Sequence, residues 1–213
     1  MRNYFDRQLS QLNKDLTEMG ELCEDAISYA VNALLENNME LADEAKSIEK
    51  EIDKKERDIE SLCLKLLLQQ QPVARDLRQI SSALKMITDM ERIGDQAADI
   101  AEILHFTDLS SCSGAVHIAE MARATAKMVT ESVEAYVRRD IATVQKVIAH
   151  DDVVDDLFSK VKSGVIDMLA DKSLDGEQAL DLLMIAKYLE RIGDHAVNIA
   201  EWVMFSITGG HVN

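Results

Sequence analysis

The chain has 213 residues, enough for one large domain or two small ones. Its 39 acidic and 23 basic side chains leave a formal charge of −16, which repels nucleic-acid phosphates and anionic membrane surfaces and favours divalent cations and basic protein patches. One proline, eight glycines and few aromatics mark a chain that is helical almost throughout, with a core of Leu, Ile, Val, Ala and Met.

The predicted helices follow from the breakers. The first runs from about Phe5 to Leu35 and stops at Asn37-Asn38. The second runs from about Met39 to Gln70, where Gln71-Pro72 interrupts the pattern and Pro72 suits a first helical turn. A third continues to about Phe106. The small, polar stretch Thr107–Gly114 at the chain's midpoint reads as a linker. Helices then run from about Ala115 to Arg138, Asp140 to Ala170 and Gly176 to Ile207, with a break across 171–176. No strand periodicity competes. A helix of this size is about 45 Å long, so each half is an elongated antiparallel three-helix bundle.

The halves are copies. Glu91-Arg92-Ile93-Gly94-Asp95 recurs as Glu190-Arg191-Ile192-Gly193-Asp194, and Leu84–Glu102 matches Leu183–Glu201 at ten of nineteen positions. Glu49-x-x-x-Asp53 answers to Asp151-x-x-x-Asp155 at a spacing three residues greater, which fits a longer turn around Gln69–Pro72 in the first half. The expected fold is all-α, two tandem antiparallel three-helix bundles related by a pseudo-twofold internal duplication. Residues 1–106 form the first bundle, 107–114 the linker and 115–213 the second.

Cys23, Cys63 and Cys112 are odd in number and lack metal spacing, so they read as free thiols of a reducing compartment. The N-terminus has no signal-peptide core, and no apolar run approaches the ~18 residues of a membrane helix. The expected location is cytoplasmic, without membrane insertion.

The acids carry the functional signal. With Glu91 at zero and about 100° per residue, Asp95 falls near 40°, Asp99 near 80° and Glu102 near 20°. Ile93, Ala97, Ile100 and Leu104 cluster on the opposite side, so the carboxylates face away from the core. Glu49, Asp53, Glu56 and Glu60 form a second stripe of the same kind on the preceding helix. Like charges at i,i+4 destabilise a helix by a few tenths of a kcal/mol per pair. Four in a row without interleaved Lys or Arg, with the arrangement repeated in the second half, point to a bound cation. Oxygen ligands suit Mg²⁺, Mn²⁺ or iron, and Ca²⁺ less clearly. In the second half the stripe is Glu190, Asp194, Asn198 and Glu201. One acid has become Asn, and His195 stands nearby as a nitrogen donor or a structural residue.

Gly94 and Gly193 lie inside helices beside the apolar seam and imply close packing of a neighbouring helix. Arg92 and Arg191 are candidates for ion pairs with acids of an adjacent helix or for holding an anion, and Arg75 and Arg78 present the same choice beside Pro72. Trp202 and Phe205 suit a bundle end, the joint between halves, or a partner surface.

The segments Gln71-Pro72-Val73-Ala74-Arg75-Asp76-Leu77-Arg78, 91–95 and Glu190–Trp202 resemble the PhoU family, accessory proteins of the phosphate-specific transport system, over essentially the whole chain. The resemblance implies two three-helix bundles with metal clusters on their surfaces. It implies Glu49, Asp53, Glu91, Asp95, Asp99 and Glu102 as ligands of one site, and Asp151, Asp155, Glu190, Asp194, Asn198 and Glu201 of the other. The metal so implied is divalent or trivalent, drawn from Mg, Mn, Fe or Zn. Asn198 and Asp151 stand where the first half has Asp99 and Glu49, which makes the second site the weaker expectation. The family negatively regulates phosphate uptake and phosphate-starvation signalling by linking the phosphate ABC transporter ATPase to a sensor histidine kinase. The implied form is a homodimer, cytoplasmic or peripheral to the inner membrane through its partners.

Two other readings compete. A ferritin-like di-metal enzyme needs inward-facing Glu-x-x-His on two helices. Glu102-x-x-His105 supplies it once, while its counterpart ends in Met204. With no nucleophile–base pair and no phosphate loop, the expectation is a protein that is not an enzyme. The third reading is a helical scaffold with solvated acidic faces and no metal.

Overall fold

A computed structural model describes residues 2–69, 73–109 and 115–210. Gln71, Pro72, Cys112 and most of the 107–114 stretch lie outside these. Six helices account for the regular structure among the described residues: α1 (Arg2–Glu36), α2 (Met39–Gln69), α3 (Ala74–Leu104), α4 (Ala115–Arg138), α5 (Ile141–Ala170) and α6 (Gly176–Thr208). None is long and apolar enough to cross a membrane.

The chain reversals repeat as closely as the helices do. After α1, Asn37 takes a left-handed φ of 49° and the Asn38 N–H bonds the Ala33 carbonyl. After α4, Arg139 takes φ 56° and the Asp140 N–H bonds the Ala135 carbonyl. Asn38 and Asp140 then cap α2 and α5 by accepting from Glu40 and Ala142 N–H groups, each at 2.9 Å. The capping box Asp175/Gln178 starts α6, and Gly209 at φ 80° ends it.

The expected longer turn around Gln69–Pro72 falls on residues 70–72, outside those described. Aligned on the repeated pentapeptide, α3 begins three residues earlier than α6, so Ala74, Arg75 and Asp76 form an added first turn without a counterpart in α6.

Within each half all three helices touch: α1, α2 and α3 in the first, α4, α5 and α6 in the second. Among the described residues the halves join through α3 against α6 and α1 against α4, with α2 and α5 set to the outer sides. The α3–α6 packing is antiparallel along its full length. Arg78 lies against Gly209, Lys85 Nζ sits 5.9 Å from the Trp202 ring, Asp89 meets Asn198, and Thr107 bonds Asp181 near the far end. Trp202 meets Phe205 edge-on at 6.1 Å, which places this aromatic pair at the joint between halves.

The buried residues form a single apolar cluster that spans both halves. On α3 it takes Met90, Ile93, Ala97, Ile100 and Leu104, and on α6 the equivalent Leu189, Ile192, Ala196, Ile199 and Val203. Each large buried side chain contributes about 1.5–3 kcal/mol, and this packing, more than intrinsic propensity, holds such long helices.

Both mid-helix glycines face a β-branched residue of the neighbouring helix. A Cβ on Gly94 would stand 3.0 Å from Ile52 Cδ1 and 3.3 Å from its Cγ2, whereas one on Gly193 would stand 3.4 Å from Val154 Cγ1. Gly193→Ala is therefore expected to stabilise the protein by about 0.5–1 kcal/mol. Gly94→Ala is expected to gain less or to lose, because Ile52 must move. Urea unfolding checks both, and in an Ile52→Val background Gly94→Ala should recover its gain.

Candidate functional site

Because α2 and α5 sit on the outer sides, each half presents a groove between its second and third helices. The first groove gathers acids from both walls. Glu49 on α2 is held above the usual carboxylate range by partial burial, then by Asp53 and by Asp95 across the groove. Glu91 on α3 is raised by burial and by Asp95, with Glu56 and Asp53 of α2 adding to it against the pull of Arg92. Glu56 is raised in its turn by burial, Glu60 and Asp53. These are carboxylates near enough to repel one another across two helices.

The stripe is not free of basic residues, as the sequence suggested. Arg92 folds back over its own helix, reaching Glu91 at 3.5 Å and Asp95 at 3.0 Å, and Arg57 reaches Asp53 at 3.6 Å. Arg92 thus pairs with acids of its own helix, where an adjacent helix had been anticipated. Glu102 is exposed and stands 3.8 Å from Lys46. Asp99 turns toward the α3–α6 seam. Burial, Asp95 and Glu102 raise it, while Arg191 from the other half lowers it.

The second groove holds Asp151 and Asp155 from α5 with Glu190 and Asp194 from α6. Asp151 Oδ1 lies 3.5 Å from where a Gly193 Cβ would be, so the missing side chain lets this carboxylate rest against α6. Burial, then Asp155, Asp194, Asp152 and Glu190, push the Asp151 pKa up to about 6. Asp194 is raised by burial and Glu190, with Lys187 opposing. Lys187 bonds Glu190. Among the described residues no base stands within ion-pair distance of Asp151, Asp155 or Asp194. The second groove is thus less neutralised than the first.

Asn198 and His195 are not part of that groove. The Asn198 amide donates to Asp89 Oδ1 at 3.1 Å, and His195 Nδ1 meets the same oxygen at 2.9 Å. Both residues cross-link α6 to α3. Glu201 is exposed and joins none of the coupled acids. Glu56, which the sequence placed on the Glu49–Asp53 stripe but outside the implied ligand set, joins the first groove. Asp89 was missed altogether, because its partners lie 106 and 109 residues away.

Among the described residues no three His, Cys, Asp or Glu side chains converge as a closed coordination shell. The donor chemistry nonetheless fits a hard cation. Each groove offers only carboxylate oxygens, and their mutual repulsion is the field that a multivalent ion relieves. His105 Nε2 meets Asp43 at 3.2 Å, so it does not complete a Glu-x-x-His pair with the exposed Glu102.

Comparison with known proteins matches the PhoU domain model to residues 16–104 and 118–203. A phosphate-specific transport system accessory protein PhoU homolog of Clostridium acetobutylicum is 32% identical over 214 residues, covering 100% of this chain and 98% of that protein. A homolog from Synechocystis is 34% identical, covering 98% and 93%. The crystal structure of PhoU from Pseudomonas aeruginosa superposes with a TM-score of 0.88 at 32% identity, covering 97% of this chain and 100% of that one. The Streptococcus pneumoniae PhoU structure, at 24% identity and TM-score 0.89, shares the fold.

The raised Asp151 carboxyl sets a pH dependence. Its folded pKa exceeds the unfolded value of 3.8, so its contribution to stability is fully present below 3.8 and is lost as pH rises through about 6. In metal-free buffer Asp151→Asn is expected to stabilise the protein at pH 7 by about 1 kcal/mol, less than full linkage because the group is partly solvated. The advantage should vanish near pH 4 in urea unfolding, and carboxyl NMR titration of the parent should place Asp151 near 6.

Proposed function

The chain belongs to the PhoU family, and from that premise we propose that it is an accessory protein of phosphate-specific transport that negatively regulates phosphate uptake and phosphate-starvation signalling. In this reading it is an adaptor that meets the transporter's ATPase subunit and a sensor histidine kinase through its bundle surfaces. The observation that carries the reading is the end-to-end match to PhoU proteins, together with two outward grooves lined by mutually repelling carboxylates.

The grooves bind hard multivalent cations, with Glu49, Asp53, Glu56, Glu91 and Asp95 serving the first and Asp151, Asp155, Glu190 and Asp194 the second. A cation there supplies positive charge that neutralises the repulsion and fixes each second helix against its third. Oxygen-only donors favour Mg²⁺, Mn²⁺ or iron over Zn²⁺, which takes nitrogen and sulfur readily. Arg92, Arg57 and Lys187 hold the acids in the absence of metal and must swing aside for it.

The open placement of both grooves supports a binding surface more than a catalytic one, since neither groove excludes water around the acids. Metal-stripped protein titrated with Mn²⁺ should gain thermal stability. Glu91→Ala/Asp95→Ala should lose about half of the bound metal, and Asp151→Asn/Asp194→Ala the other half, if the grooves bind independently. Absence of bound metal at physiological concentrations sinks the cation reading. Affinity capture from phosphate-replete cells should recover the transporter ATPase and the sensor kinase, and recovery of neither sinks the adaptor reading.

A further inference from the structure

Against the acidic surface three arginines gather at the end of the α3–α6 seam where α6 stops. Arg139 Nη2 donates to the Ser206 carbonyl at 3.4 Å. One turn on, the Arg78 guanidinium packs 3.6 Å from the Cβ position of Gly209, so two arginines from different halves meet on the last turn of α6. Arg75 stands one turn before Arg78 on α3. The Arg78 Nε is buried and has no hydrogen-bond partner among the described residues. A buried donor left unmade is costly and calls for an acceptor.

Among the described residues none of the three arginines has a carboxylate within ion-pair distance. The nearby Asp140 carboxylate is spent on the α5 N-cap, where it accepts from Ala142 N–H and the Thr143 hydroxyl. The crowding is felt at Arg139, whose pKa is lowered by burial and then by Arg75 and Arg78. Nor does the duplication account for the cluster. Arg75 lies in the added turn of α3, Arg78 corresponds to Glu177, and Arg139 corresponds to Asn37. Arg139 also holds a left-handed backbone that Asn adopts more readily than Arg.

We propose that Arg75, Arg78 and Arg139 form a binding site for a small tetrahedral oxyanion, phosphate in charge and shape, bridging the two halves at the end of α6. Guanidinium forks match such an anion, each offering paired N–H donors. Arg139 keeps one donor on Ser206 and turns others to the anion, while the buried Arg78 Nε gains the acceptor it lacks. Binding would tie the first turn of α3 and the α4–α5 turn to the end of α6. The site is separate from the acidic grooves and needs no metal.

The test uses the full chain stripped of metal with EDTA, so that phosphate held through a groove cation does not contribute. Phosphate is titrated by calorimetry, with chloride adjusted to keep ionic strength constant. Saturable binding is expected, weakened about tenfold or more by Arg75→Gln and by Arg78→Gln and unchanged by Arg138→Gln, a solvent-facing arginine paired with Glu134. Without anion, exposed Arg75→Gln should be at least as heat-stable as the parent, because a like charge is gone. Sulfate should compete with phosphate. Glycerol phosphate competing equally well assigns the site to a phosphoryl group on a larger molecule, and weaker competition assigns it to the free ion. No saturable heat, an effect that follows ionic strength alone, or binding that survives Arg75→Gln and Arg78→Gln intact would overturn the proposal.

Discussion

The antiparallel packing of α3 on α6 is the constraint from which the rest of the molecule follows. Each helix carries a seam of Ile, Ala, Met, Leu and Val that is fully buried, and the two seams share one core with α1 and α4. With that apolar face consumed, the repeated acids on the same helices have only the outer side available, since an unpaired buried carboxylate is far more costly than a solvated one. The second helix of each half then closes a groove over the acids from the outer side. The charged grooves are therefore a consequence of how the apolar seam is used.

Within the grooves two forces oppose each other. Packing brings helices to the distance at which side chains interlock, as Ile52 does over Gly94 and Val154 over Gly193. That same approach sets carboxylates of neighbouring helices against one another, and their pKa values rise because burial and like charge both disfavour ionisation. The two halves relieve this differently. The first spends Arg92 and Arg57 on its own acids. The second has Lys187 on Glu190 and, among the described residues, no base paired with Asp151 or Asp194. Identical pentapeptides thus sit in unequal electrostatic surroundings.

The duplication has also diverged along the seam. Asp89 holds His195 and Asn198 across it, while on the other side Asp99 feels Tyr188 and Arg191. The turns after α1 and α4 share backbone geometry down to the reversed φ, yet one carries Asn37 and the other Arg139. Such places, where the backbone repeats and the side chain does not, are where a duplicated chain acquires separate roles.

The sequence by itself determined the helical class, the helix ends to within a few residues, the duplication and the outward face of the acids. These depend on short-range features: apolar period, helix breakers such as Asn37 and Gly209, and residue spacing around one axis. Only the tertiary structure decided which partner each charged side chain takes. Arg92 bending onto its own helix, Asn198 leaving the acidic stripe for Asp89, and the meeting of Arg78 with Arg139 all depend on the register of one helix against another. A long side chain selects among partners through contacts made over a hundred residues away, and no local pattern encodes that choice.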